Sequence, residues 1–542
     1  MSGRLWKAAA LVLGLIAVLL LTSFSLAATS AATPGGASGL SSFTSSTSAT
    51  VVDGAFSTAK AIPSSFWGVN VEPDQAFTSA DAAAVAATPA TYIRFPGGVL
   101  GEELNYSSGV YTSSDGTQKK LTTSTAEFVT ECKSIGCHAI MQLPVEIDSP
   151  STAAYYAKYV VNTLGYQPAY WELGNSPPGW IHFGVPWSEW KSKTTPTETP
   201  AEFATLIHTY IAAILKVDPA GKFLALGAGM GTADYAKAWI EPLVSADGSE
   251  LAGISVHSYI LATTPTHPTA AEFFANLGGA YSIPDQVLAD RSYIKAACST
   301  CTTGVFVSEI NAAEAGSTFV PLMAGFPGTL YLAAEITQGL SLQVPNMDWF
   351  CYHCDFLGAW SIHTLVFQPQ YYLFSDLATQ FKTETLPTTV TGPSTFYGIA
   401  TYNSGGLSLM MVNVGSSTVS ANIAQTGFIL DRAGVTEYSW ASAAKSPSKS
   451  SVTLSSTVSV PSMSIILLTV GSAGAKSPGG PSATSGLTVV PGTSGPASGM
   501  LLTGSASKPN LAGGAAWGRM ASALPVARGQ PVPSILTMSR PS

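Results

Sequence analysis

The sequence predicts an α/β fold, a (β/α)8 TIM barrel with a C-terminal all-β sandwich domain, and three observations predict it. Short apolar or alternating runs recur eight times between residues 65 and 353, each followed by helix-compatible sequence. Arg94, Asn175, Ser176, His257, Tyr259, Glu309, Asn311 and His353 fall at or near the C-terminal ends of those runs, where a barrel gathers its functional groups. Beyond residue 382 the pattern turns to short alternating strands separated by turn residues, the signature of a sandwich.

The elements follow in order. Arg4 and Lys7 precede an apolar run from Ala8 to Leu21, and small residues Ser25, Ala27 and Ala28 close it, so residues 1–28 read as a secretory signal. Left uncleaved, residues 8–28 would anchor the chain, the sole membrane contact the sequence suggests. Residues 29–50 are a Ser/Thr/Ala-rich linker with too few large apolar side chains to offset the entropy of folding. The barrel is expected over 51–381, with strands near 65–72, 91–98, 138–145, 169–176, 222–229, 253–260, 304–311 and 346–353. Helices are expected at Ala201–Val217 and Pro284–Cys298. The sandwich is expected over 382–471, with strands at 396–403, 407–414, 419–424, 435–440, 451–456 and 463–470, and residues 50–60 offer it one more. Residues 472–542, rich in Gly, Pro, Ser and Ala and devoid of acidic residues, read as a disordered tail.

Only 10% of the residues are charged and the net charge is -8, so no basic field exists to bind a phosphate backbone and nucleic acid is excluded as a partner. The six cysteines fall in close pairs, Cys132 with Cys137, Cys298 with Cys301 and Cys351 with Cys354, which an oxidising compartment turns into disulfides. A zinc site drawing on the last two pairs and His353 is the alternative, disfavoured by export. No metal or cofactor is expected.

Glu309, in Val305-Phe-Val-Ser-Glu-Ile-Asn311, is a charged group ending an otherwise apolar strand. Burying it alone is costly, so it must be hydrogen-bonded or functional. Arg94 at the same barrel mouth is its natural ion-pair partner, and a nearby guanidinium would lower its pKa and keep it ionised.

Tyr170-Trp-Glu-Leu-Gly-Asn-Ser-Pro177 resembles the Trp-Glu-x-Gly-Asn-Glu-Pro motif of clan A glycoside hydrolases. Ile62-Pro-Ser-Ser-Phe-Trp-Gly-Val-Asn70, Ile93-Arg-Phe-Pro-Gly-Gly98, Ser255-Val-His-Ser-Tyr259 and Ser308-Glu-Ile-Asn311 are similar to blocks of family 79, the heparanase-like and β-glucuronidase enzymes. Families 39, 51 and 30 are similar as well. The resemblance spans about residues 50–471, including a closing sandwich strand at Pro461-Ser-Met-Ser-Ile-Ile-Leu-Leu-Thr-Val470. It implies a carbohydrate ligand, Glu309 as nucleophile, Asn175 as donor to the sugar 2-hydroxyl, Arg94 and Tyr259 as supports of Glu309, and His257 in the same pocket.

One departure matters: where the family pattern has its acid/base Glu, this chain has Ser176. A hydroxyl is too weak an acid to take that part, and general acid assistance is typically worth about 10²- to 10⁴-fold. The barrel then either binds sugar without cleaving it, or cleaves substrates whose leaving groups need no proton, or uses another carboxyl. Candidates at strand ends are Glu72, Glu102, Glu103, Glu146, Asp148, Glu314 and Asp355, while Glu172 lies too far back along its strand. Trp180, Phe183, Trp187 and Trp190, and again Trp349, Tyr352 and Trp360, are flat surfaces on which a pyranose could stack, with Trp360 the best placed. A Ser176–His257 hydrolase is disfavoured because no Gly-x-Ser-x-Gly elbow surrounds the serine.

Overall fold

The computed structural model describes residues 47–112, 117–145, 148–175, 199–228, 233–259, 269–275, 277–279, 282–312, 320–353, 367–425, 429–430, 433–441, 446–471 and 475–476. The expected signal segment, residues 29–46 of the linker, and the tail beyond residue 476 lie outside the described residues.

Eight parallel strands close into a barrel in sequence order: Trp67–Asn70, Tyr92–Phe95, His138–Leu143, Tyr170–Leu173, Phe223–Ala228, Leu251–Tyr259, Gly304–Asn311 and Met347–Trp349. Closure is made where the eighth strand pairs with the first, Met347 opposite Trp67 and Trp349 opposite Val69. The first strand alternates strictly. Val69 joins the core under the helices, whereas a Cβ on Gly68 would lie 1.6 Å from Asp348 Oδ1, so the even-numbered residues point into the barrel.

The intervening helices start where their sequences say they should. Thr78, Ser124, Thr199 and Thr269 each cap a helix and exchange hydrogen bonds with an acidic residue three places on, which satisfies amide groups the first turn leaves open. Pro200–Leu215 and Ile283–Ala297 coincide with the two helices expected, and the former buries Phe203, Ile207, Tyr210, Ile211 and Ile214 along one stripe.

Two antiparallel-dominated sheets follow. One runs Lys60–Ala61, Glu384–Leu386, Phe396–Asn403, Gly406–Asn413, Ser464–Gly471, Val435–Trp440 and Ser448–Val452 in spatial order; the other runs Thr388–Thr391, Thr47–Asp53, Val419–Gln425 and Thr457–Val460. By pairing, Thr47–Asp53 and Lys60–Ala61 therefore belong to the sheets and not to the barrel, which corrects the 51–381 boundary. The expected strand at 451–456 is also corrected. Residues 453–456 connect two strands, and the single buried Leu454 in a Ser-rich stretch gave the connection a false alternation.

Gly406–Asn413 is buried at every position because both of its faces are covered. Leu407, Leu409 and Met411 fill the space between the sheets, and Met410 and Val412 join the barrel's own core cluster. Cys132–Cys137 and Cys298–Cys301 are disulfides, so the second pair is unavailable to a metal. Cys351 is also disulfide-bonded, and Cys354 lies outside the described residues.

Candidate active site

Arg94, on the second strand and fully buried, is the hub of the barrel mouth. Its Nε donates to Glu172 on the fourth strand. Nη1 donates to Asn70 Oδ1 at 2.9 Å and Glu309 Oε1 at 2.7 Å, and Nη2 to Asn175 Oδ1 at 2.7 Å. One planar fork thus ties together the ends of the first, second, fourth and seventh strands. Because guanidinium has donors only, both asparagine amides must present their oxygens to it. That orientation turns their NH2 groups away from Arg94: Asn70 Nδ2 donates to Ser308 O at 2.9 Å.

Glu309 has both carboxyl oxygens anchored. Oε1 takes the Arg94 bond, and Oε2 accepts from Tyr259 OH at 2.8 Å with His257 Nδ1 3.4 Å away. The sixth strand supplies both of these neighbours, and its pairing sets His257 opposite Glu309 across the ladder. Burial of the carboxyl raises its pKa, and this outweighs the lowering by Arg94 and Tyr259. The expected depression by Arg94 is therefore present but overcome. His257 is held down at about 3, by burial first and then by Arg94, so it is a neutral ring at ordinary pH. Burial also pulls against the Arg94 charge, but Glu172 and Glu309 more than restore it.

Arg94, Asn175, His257, Tyr259 and Glu309 are thus one cluster. Ser176, Trp360, Glu146, Glu314, Asp355 and Trp180 to Trp190 lie outside the described residues. Three expectations need correction. His353 is turned away from the mouth to Asp81 of the helix Ser79–Ala86, with Nε2 3.2 Å from its carboxyl. Trp349 packs edge-on against Phe374, and Tyr352 against Phe77, so both are core rings and not platforms for a sugar. Asn311 Nδ2 donates to Phe350 O at 2.7 Å, bracing the end of the eighth strand.

Sequence reasoning missed Asn70 and Glu172 as members of the cluster. Asn70 had a readable signal, being an amide that ends an apolar strand at the close of Ile62-Pro-Ser-Ser-Phe-Trp-Gly-Val-Asn70. Glu172 had none, because its partner is 78 residues away. Asp348 lies deeper in the barrel, where burial pushes its carboxyl well above the usual range against the pull of an Asn346 bond at 2.8 Å.

A carboxylate gripped on both oxygens by a cation and a phenol, with an amide NH2 beside it, can attack an electrophilic carbon or hold a polyhydroxylated ligand. No protein-family model and no curated protein sequence matches the chain. Among solved structures the fold is similar to the GH51 arabinofuranosidase from Xanthomonas axonopodis pv. citri, with TM-score 0.62 and 15% identity over 78% of this chain and 99% of that one. It is similar to the α-L-arabinofuranosidase from Thermotoga maritima, solved with arabinose, with TM-score 0.60 and 14% identity over 78% and 100%. A glycoside hydrolase family 44 endoglucanase from Clostridium acetobutylium aligns with TM-score 0.60 and 12% identity over 78% and 100%. At these identities the likeness is one of fold, a closed eight-stranded barrel carrying a β domain, and it extends over nearly the whole of each of those chains.

Proposed function

We propose that this chain is an exported retaining glycoside hydrolase, most similar to family 79 of clan A, with Glu309 as nucleophile. The observation that carries the reading is the double anchoring of Glu309 at the end of the seventh strand by Arg94 and Tyr259. A nucleophile must be held in line with the anomeric carbon, and fixing both oxygens supplies that orientation before substrate arrives. Burial that raises its pKa makes the carboxylate a better base toward carbon, and Arg94 and Tyr259 oppose that rise. Asn175, its oxygen fixed by Arg94, would offer its NH2 to the sugar 2-hydroxyl, and neutral His257 would line the same pocket. The fold neighbours, named as arabinofuranosidases and an endoglucanase, support a carbohydrate substrate. The N-terminal segment and the two described disulfides support export.

Aryl glycosides with good leaving groups test the reading. Wild type turns them over with retention of configuration, and Glu309→Ala lowers the rate by at least about 10³-fold. A second reading, a sugar-binding barrel that no longer cleaves, is favoured by Ser176 alone. It predicts sugar affinity without any Glu309-dependent turnover, and no gain from Ser176→Glu on poor leaving groups.

A further inference from the structure

The even-numbered residues of the first strand point into the barrel, and the extended pairing continues past its end. Val71 N donates to Arg94 O at 3.0 Å, and Gly97 N to Val71 O at 2.8 Å. Glu72 therefore follows Gly68 and Asn70 on the inward face, roughly 6–7 Å nearer the mouth than Asn70, whose side chain meets the Arg94 guanidinium that holds Glu309. It is partly open, whereas Asn70 is fully buried.

The carboxyl sits among Gln75, Cys351 and Gly98. Gln75 Nε2 donates to Oε2 at 3.3 Å, and the disulfide-bonded Cys351 Sγ is 3.7 Å from the same oxygen. Gly98 leaves room for the other oxygen, since a Cβ there would lie 2.6 Å from Oε1. Burial, then the like charges of Asp74 and Glu309, push Glu72 well above the usual carboxyl range, and Arg94 opposes them. The other described candidates answer to their own surroundings. Glu102 Oε1 accepts from Val145 N at 2.6 Å and is buried, burial alone raises Glu103, and Asp148 is tuned by burial, Thr152, Ser149 and Tyr106.

Resting on the glycosidase reading above, we propose that Glu72, just beyond the end of the first strand, is the proton donor and acceptor of the reaction, taking the role for which the family pattern uses a Glu where this sequence has Ser176. In the first step a Glu309 oxygen bonds the anomeric carbon as the glycosidic C–O bond breaks, and the Glu72 proton passes to the departing oxygen. In the second, water attacks the same carbon and the bond to Glu309 breaks. The proton of that water passes to Glu72, and both carboxyls return to their starting forms. Such a cycle needs two carboxyls whose surroundings differ, and burial with like charges raises Glu72 while Arg94 and Tyr259 oppose the rise at Glu309.

The experiment compares wild type, Glu309→Ala and Glu72→Gln on dinitrophenyl, nitrophenyl and phenyl glycosides of one sugar, with and without azide. Glu72→Gln should lower phenyl glycoside turnover by about 10²- to 10⁴-fold, and that loss should exceed its loss on the dinitrophenyl glycoside by at least about 100-fold. Azide should then speed the dinitrophenyl reaction and yield a glycosyl azide of retained configuration. An equal loss on all leaving groups, or no loss, overturns the assignment of Glu72 while leaving Glu309 as nucleophile. Turnover that survives Glu309→Ala sinks the glycosidase reading itself. Should Glu72→Gln fail to fold, Glu72→Asp keeps the acid on a shorter arm. A steeper leaving-group dependence in that variant supports the assignment, and an unchanged one overturns it.

Discussion

At Glu309, three groups compete over one proton. Burial favours the neutral acid, while Arg94 at 2.7 Å and Tyr259 at 2.8 Å favour the carboxylate. A nucleophile must be ionised, so the rate falls as pH drops through the raised pKa of this group. Tyr259→Phe removes one of the two lowering bonds without changing ring size. A hydrogen bond to a charged group is worth about 1.5–3 kcal/mol, so the acid limb of the kcat/KM profile should move up by about one pH unit. A limb that stays put or moves down would separate Tyr259 from the titration of Glu309. At this scale the sequence was legible where a charged or amide group ended an apolar strand, as at Arg94, Asn175 and Glu309. It was silent about Glu172, since nothing local says that an inward glutamate on the fourth strand meets a guanidinium from the second.

The elements were easier to read than their contacts. Seven of the eight barrel strands fall within the segments expected and the sixth begins two residues before its own, at Leu251, because a strand covered on both faces needs a nearly continuous apolar run that no solvated helix would carry. The helix Phe326–Ser341 shows what that reasoning cannot reach. Every residue from Gly328 to Leu340 is buried, since the helix lies between the barrel and the outer face of the larger sheet. Glu335 is caught inside it, fully buried, and burial raises its pKa to about 8 against the lowering influence of Tyr331. The folded value stands above the ordinary 4.5, so the native state holds a proton that the unfolded chain gives up. The contribution of Glu335 to stability is complete below 4.5, declines as pH rises toward 8, and is lost beyond. The decline should be on the order of a few kcal/mol. Glu335→Gln has no proton to lose and should flatten it, which urea midpoints measured across that pH range will register.

At the scale of the whole molecule, barrel and sandwich share a core. Ile399, Met410, Val412, Trp440 and Leu467 of the larger sheet belong to the same buried cluster as the barrel residues Phe66, Trp171 and Ile336. The connection is also topological, because Thr47–Asp53, which precedes the barrel, is a central strand between Thr388–Thr391 and Val419–Gln425. Composition hinted at that extra strand but could not say which partners it would find, since pairing joins segments more than 300 residues apart. A chain ending at residue 381 would therefore lose more than a separate module. It would bare one side of the helix Phe326–Ser341 and strip Thr47–Asp53 and Lys60–Ala61 of their ladders, exposing strand edges prone to aggregate. Such a chain should be insoluble or lack a cooperative transition. The full chain should unfold with one midpoint by tryptophan fluorescence and far-ultraviolet circular dichroism, and Met410→Ala should lower that common midpoint by about 2–5 kcal/mol in stability. Two separate midpoints, with Met410→Ala shifting only one, would mean that the sheet face contributes to the sandwich alone and that the barrel is stable without it.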